Sequence, residues 1–239
     1  MATQRVIPRR VVLTLCVPIG DGNREVVNLP TDAVDSALLA ANDQSPVEAA
    51  SYQRIADQLL AADCWSPRRV FVSSPTAGDG KTSTAFNLAW TLSTRGASVL
   101  LVELNFARPR FSSVLGGLPI RFGVDCVIRR TANPADSVFS MGSESLNVSA
   151  VKTAMRLGEL KQHLPHLASY LNWAGKTFDW LILDCPPVLS VAWNSWFRAC
   201  ARPVLLVVRE QHTPAVQVRK AIRNLGGGLK GVLLNDAGT

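Results

Sequence analysis

The stretch SSPTAGDGKTSTAFNLAW, Ser73 to Trp90, decides the fold. It follows the apolar run RRVFV and leads into a segment in which Ala85, Leu88, Ala89 and Leu92 recur at helical spacing, with Gly96 as the stop. A strand that breaks into a glycine-containing loop and resumes as a helix opening Lys-Thr aims several backbone N–H groups and the helix dipole at one point. That point suits a phosphate. Gly78 and Gly80 permit the turns and a close approach, Lys81 can reach β- and γ-phosphates, and the Thr82 hydroxyl can ligate magnesium. The candidate cradle is Thr76, Ala77, Gly78, Asp79, Gly80, Lys81, Thr82 and Ser83, with Pro75 where the common loop has its first glycine.

Outward from this loop the chain alternates short apolar runs with helix-period segments. ASVLLVEL, DWLILD, RPVLLVVR and KGVLLN join RRVFVSS as strands buried on both faces, which predicts a three-layer α/β fold with a mostly parallel sheet. Near the end Thr213 is a candidate cap and Pro214 fits the first helical turn. Val218, Ala221, Ile222 and Leu225 then form one stripe before Gly226-Gly227-Gly228. Residues from about Pro46 to Ala62 also follow a helical pattern. Before them, RRVVLTLCVPI suggests an added strand and GDGNREVVNLPTD a loop. The expected division is therefore an extension over 1–45 and a P-loop domain over 46–239.

Phosphoryl chemistry needs magnesium and a group that orients or deprotonates the nucleophile, and in a parallel sheet these come from the C-terminal strand ends. Asp184 ends DWLILD, and Glu103 ends the strand that follows the loop helix. The candidate catalytic set is Lys81, Glu103 and Asp184, and the candidate metal ligands are Thr82, Asp184 and Glu103.

Composition bounds the rest. In 239 residues, 47% hydrophobic, there is room for one sizeable core, and no run of 18 apolar residues offers a spanning helix. A formal charge of +7 suits an anionic ligand, an acidic partner or a membrane surface. Five widely spaced cysteines form neither a disulfide framework nor a metal motif and are expected to be buried thiols. His163 and His166 share a helical face with no third ligand spaced to join them.

Taken together, SSPTAGDGKTSTAFNLAWTLSTRGASVLLVELNFARPRFSSVLG, FDWLILDCPPVL, ARPVLLVVREQHT and KGVLLND resemble the bacterial tyrosine kinases of capsule and exopolysaccharide synthesis. These are the CpsD/CapB-like branch of the deviant P-loop ATPases related to MinD and ParA. In that family Pro75 is ordinary. The resemblance implies ATP and magnesium as ligands and a membrane-embedded chain-length regulator or export protein as partner. The place it implies is cytoplasmic, at the inner face of the membrane through that partner. Thr76 stands where the partition and division relatives carry a signature lysine, so neither that reading nor a nucleic-acid partner is expected.

Five departures from the family accompany the match, one of them Trp193 or Asn194 where the family often has an acidic residue after the PPVL run. Its D-x-D-x-R motif is replaced here by Glu103, Asn105 and Ala107. Its ring-forming E-x-x-R-x-x-R is replaced by Ala50, Gln53 and Ala56, which predicts at most a weak homo-oligomer lacking those contacts. The second proline of its loop is Ala77. The only tyrosines are Tyr52 and Tyr170, with none in a tail. The implied alternatives are an ATP-dependent transferase or slow ATPase with weakened catalysis, and a non-catalytic ATP-gated regulator of a polymerisation complex.

Overall fold

A computed structural model describes residues 12–20, 23–30, 46–61, 68–141, 143–193 and 197–235. Its elements in chain order begin with β1 (Val12–Gly20), β2 (Asn23–Pro30), α1 (Pro46–Ala61), β3 (Arg69–Ser73), α2 (Lys81–Thr94), β4 (Val99–Glu103), α3 (Phe111–Val114) and α4 (Val124–Ile128). They continue with β5 (Phe139–Met141), β6 (Ser143–Ser149), α5 (Leu157–Thr177), β7 (Trp180–Asp184), α6 (Arg198–Cys200), β8 (Val204–Arg209), α7 (Ala215–Leu225) and β9 (Leu229–Asn235).

One sheet runs β2-β1-β5-β6-β4-β7-β3-β8-β9. From β6 to β9 every neighbouring pair is parallel, because each strand returns through a helix on one face or the other. Alternate strand residues feed two cores. Val70, Val72, Leu101 and Ile182 pack under α1, α2 and α3, while Phe71, Leu100, Leu183 and Leu206 pack under α4, α5 and α7. With both faces covered, the central strands are continuous apolar runs, and the three-layer pattern predicted from them is the one found.

Several local expectations change. GDGNREVVNLPTD is not all loop: Asn23–Pro30 pairs antiparallel with β1, which itself pairs with β5, so the early hairpin extends the sheet. Its polar residues hide the strand from a hydrophobic pattern. β5 and β6 were likewise invisible in SVFSMGSESLNVS, where serines interrupt the apolar run. Helix α7 starts at Ala215 with Pro214 at the cap, and the Thr213 hydroxyl goes elsewhere. Ile222 leaves the expected stripe and is 37% exposed, while Val218, Ala221 and Leu225 pack inward. Of the described cysteines Cys185 is buried, Cys126 half-buried and Cys200 exposed, so the thiols are not uniformly core residues.

Two departures from the resembled family have structural counterparts. Ala56, where the ring motif has arginine, is fully buried against α2, a place with no room for a guanidinium. Tyr52 and Tyr170 are both buried as well. Among the described residues no helix is long and apolar enough to cross a membrane.

Candidate phosphate-binding site

Strand β3 lies between β7 and β8, so the loop leaving its C-terminal end emerges at the centre of the sheet edge. Gly78 and Gly80 take φ of 92° and 89°, in the left-handed region that glycine enters without a Cβ penalty. At Gly80 a second constraint applies, because a Cβ there would collide with the Asn235 side-chain amide. That amide donates to the Asp79 carbonyl at 3.2 Å, fastening the loop to the end of β9.

The Asp79 carboxylate is buried and turned inward. It accepts from the Thr76 N–H at 2.9 Å, from the Thr76 hydroxyl, and from the Thr213 hydroxyl at 2.8 Å. Asp79 is thus a brace that holds the loop's shape. Thr213, which in turn accepts from the Arg209 N–H, was visible in the sequence only as a helix cap. Thr76, at the signature-lysine position of the partition proteins, is committed to the same brace.

Strand β7 sets Asp184 in register with Val72 on one side and Glu103 on the other. The Thr82 hydroxyl donates to Asp184 Oδ2 at 2.8 Å, while Asp184 Oδ1 is buried without a hydrogen-bond partner. Burial lifts the Asp184 pKa to about 6; the positive charge of Lys81 and the Thr82 hydrogen bond pull it down. A buried, unpartnered carboxylate oxygen beside a threonine hydroxyl is a donor set of hard oxygens, and it fits magnesium, which needs few protein ligands when phosphates supply the rest. Among the described residues no cluster of three or more His, Cys, Asp or Glu forms a metal cage, so the metal at this site would depend on those phosphates.

Glu103 lies beside this group, but its oxygens face elsewhere. Oε1 accepts from the backbone N–H groups of Arg110 and Phe111, the latter at 3.0 Å, and Oε2 accepts from Val151 N–H at 2.9 Å. The longer side chain thereby ties the loop after β4 to the loop after β6. Desolvation lifts its pKa to about 7 against the pull of those three amides, with the Asp184 charge adding to the rise. The structure therefore brings Lys81, Thr82 and Asp184 together and leaves both oxygens of the neighbouring Glu103 engaged with backbone amides.

Two cavities meet at Lys81. A cleft of about 380 Å³ is walled by Pro75, Thr76 and Ala77, by Asn105, Ala107 and Arg108, and by the segment from Pro186 to Ala192. A smaller recess of about 170 Å³ is lined by Gly78, Gly80, Lys81, Thr82, Ser83, Arg110 and Val114. Thr76 and Ala77 of the predicted cradle thus face the cleft and the remaining members, Asp79 excepted, face the recess. The histidine pair stays apart from both; His166 Nδ1 lies 2.9 Å from the Ile128 carbonyl, a contact that packs α5 on α4.

No protein-family profile matches the chain. The putative tyrosine-protein kinase EpsB of Ralstonia solanacearum is 27% identical over 234 residues, covering 92% of this chain and 30% of EpsB. The succinoglycan biosynthesis transport protein ExoP of Rhizobium meliloti is 23% identical over 184 residues, covering 75% of this chain and 23% of ExoP. The chain thus spans less than a third of the length of either relative. The crystal structure of the chimerical protein CapA2B2 superposes with a TM-score of 0.75 at 21% identity, covering 85% of this chain and 91% of that one, a likeness of fold. By sequence the chain is similar to bacterial tyrosine-protein kinases such as EpsB, and its fold is the one seen in CapA2B2.

Proposed function

We propose that the chain binds ATP with magnesium and serves exopolysaccharide or capsule biosynthesis as a tyrosine-kinase-type phosphotransferase acting on another molecule. The observation that carries this reading is the Thr82 to Asp184 hydrogen bond at 2.8 Å with the second Asp184 oxygen buried and unpartnered beside Lys81. Lys81 and the loop amides hold the phosphates, and Thr82 and Asp184 hold the metal. Magnesium supplies charge neutralisation on the phosphate oxygens. The cleft is open beside Lys81 and admits an acceptor hydroxyl to the terminal phosphate. Tyr52 and Tyr170 are buried and so are not acceptors in this fold, and we assign as acceptor and partner a membrane-embedded chain-length regulator or export protein.

A second reading has its own observation. Asn105 and Ala107 line the cleft where the resembled motif has an aspartate and an arginine, and an amide cannot take a proton from the acceptor. On this reading ATP occupancy sets the shape of a regulator and little transfer follows. Titration of wild type and Lys81→Ala with magnesium-ATP, followed by phosphotyrosine detection on a tyrosine-containing polymer, separates the two. Binding lost in Lys81→Ala together with phosphotyrosine formed by wild type supports the transferase. Binding without phosphotyrosine supports the regulator, and no binding at millimolar ATP overturns both.

A further inference from the structure

We infer that Arg110 is a phosphate-binding residue, holding the inner phosphates of the nucleotide across the recess from the loop; this rests on the nucleotide-binding reading above. Arg110 lines the recess together with Gly78, Gly80, Thr82 and Ser83, and its guanidinium has no hydrogen bond or ion pair among the described residues. Its backbone is fixed twice over. The Arg110 N–H is held by Glu103 Oε1, and the next residue, Phe111, is fully buried with its ring centroid 4.6 Å from that of Phe86 on α2. Because α2 begins at Lys81, the start of the Arg110 side chain has a set position relative to the loop. An exposed guanidinium without a partner among the described residues, on a fixed stem beside a recess that the loop residues also line, suits the planar recognition of phosphate oxygens.

The two cavities say which phosphates. The cleft and the recess share Lys81, so a terminal phosphate open to an acceptor lies at that junction. Ser83 and Arg110 lie on the other side, in the recess. At about 170 Å³ the recess falls below the roughly 300 Å³ at which whole small-molecule sites begin, and it fits part of a phosphate chain. Arg110 therefore replaces, from a different position, the positive charge that Ala107 lacks, and it does so for phosphates common to ATP and ADP.

The test is competition of unlabelled magnesium-ATP and magnesium-ADP against a fluorescent ATP analogue, on wild type, Arg110→Ala, Arg110→Lys, Arg108→Ala and Lys81→Ala. Loss of a charge-assisted contact predicts that Arg110→Ala weakens ATP and ADP alike by about tenfold, with Arg110→Lys between it and wild type. Arg108→Ala, on the cleft side, is expected to leave ADP affinity within about twofold. Unchanged affinity in Arg110→Ala, a loss confined to ATP, or an equal ADP loss in Arg108→Ala would each overturn the inference. If wild type and Lys81→Ala behave as proposed above, those outcomes sink only the role of Arg110. If wild type binds neither nucleotide, the underlying reading falls with it. Arg110 is exposed, and thermal melting of each variant confirms that it is folded before titration.

Discussion

The two sides of Lys81 are built differently. On the loop side, Thr82 bonds Asp184 and Thr213 bonds Asp79, two separate contacts that fix the loop while one Asp184 oxygen stays without a hydrogen-bond partner. On the side of the β4 end, the Glu103 carboxylate is engaged by three backbone amides, and Asn105 and Ala107 present neither base nor charge to the cleft. On the proposed function, grip and turnover separate: the groups assigned to phosphate are local to one loop and its helix, while the positions assigned to proton movement sit on a neighbouring strand.

The largest effect that sharpens this contrast is the pH dependence of the ligand-free protein. Glu103 titrates at about 7 in the fold against an ordinary carboxylate value of 4.5 in the unfolded chain. Below 4.5 both states are protonated and the stability is fully present. As pH rises, the unfolded chain ionises first, and stability is lost until the folded carboxyl ionises near 7. The loss attributable to Glu103 is on the order of 3 kcal/mol. Melting temperature should therefore fall between pH 4.5 and 7, and Glu103→Gln should flatten that fall. Asp184→Asn removes a smaller fall centred lower, since Asp184 reaches only about 6. An identical pH slope in wild type and Glu103→Gln would mean that Glu103 is already ionised in the fold.

Next in size, Lys81→Ala breaks the loop side alone. Removing a mostly buried ammonium from the phosphates costs about 2 kcal/mol of binding, roughly a thirtyfold rise in Kd for magnesium-ATP. Isothermal titration measures it, and a change below threefold would place the phosphates elsewhere.

The same contrast explains what the sequence disclosed. Lys81, Thr82 and the two left-handed glycines are neighbours in the chain, so their spacing already implied their geometry, and Asp184 followed from the rule that sites gather at parallel strand ends. The Glu103 contacts were not legible. Val151 lies 48 residues away in the loop after β6, a strand whose serines masked it, and no spacing pattern reports that pairing. Thr213 was hidden for a related reason. A threonine before proline satisfies a cap pattern as well as it satisfies a carboxylate 134 residues distant, and only the fold decides between them. Arg110 looked like one surface cation among the 25 lysines and arginines until the recess gave it a direction.

Smaller again is the effect of restoring an acid to the cleft. Asn105→Asp returns a group able to accept a proton beside the junction at Lys81, and phosphoryl turnover in the presence of magnesium-ATP should rise by about tenfold, with nucleotide affinity within a factor of two. Turnover unchanged by Asn105→Asp and by the double variant with Ala107→Arg would show that the missing acid does not limit the reaction.

The smallest predicted effect tests whether the grip depends on the far edge of the sheet. Thr213→Val keeps the side chain's shape and deletes the hydroxyl that donates to Asp79 Oδ1 and accepts from Arg209 N–H. Asp79 retains both Thr76 contacts, so the loop keeps part of its brace. The loss is about 1 kcal/mol, seen as a few degrees in melting temperature and a roughly fivefold weaker hold on ATP. Ligand affinity should fall for ATP and ADP together, because the brace shapes the whole loop and touches no single phosphate. A variant that melts lower yet binds ATP like wild type would confine Thr213 to the stability of β8 and leave the loop's shape to Asn235 and Thr76.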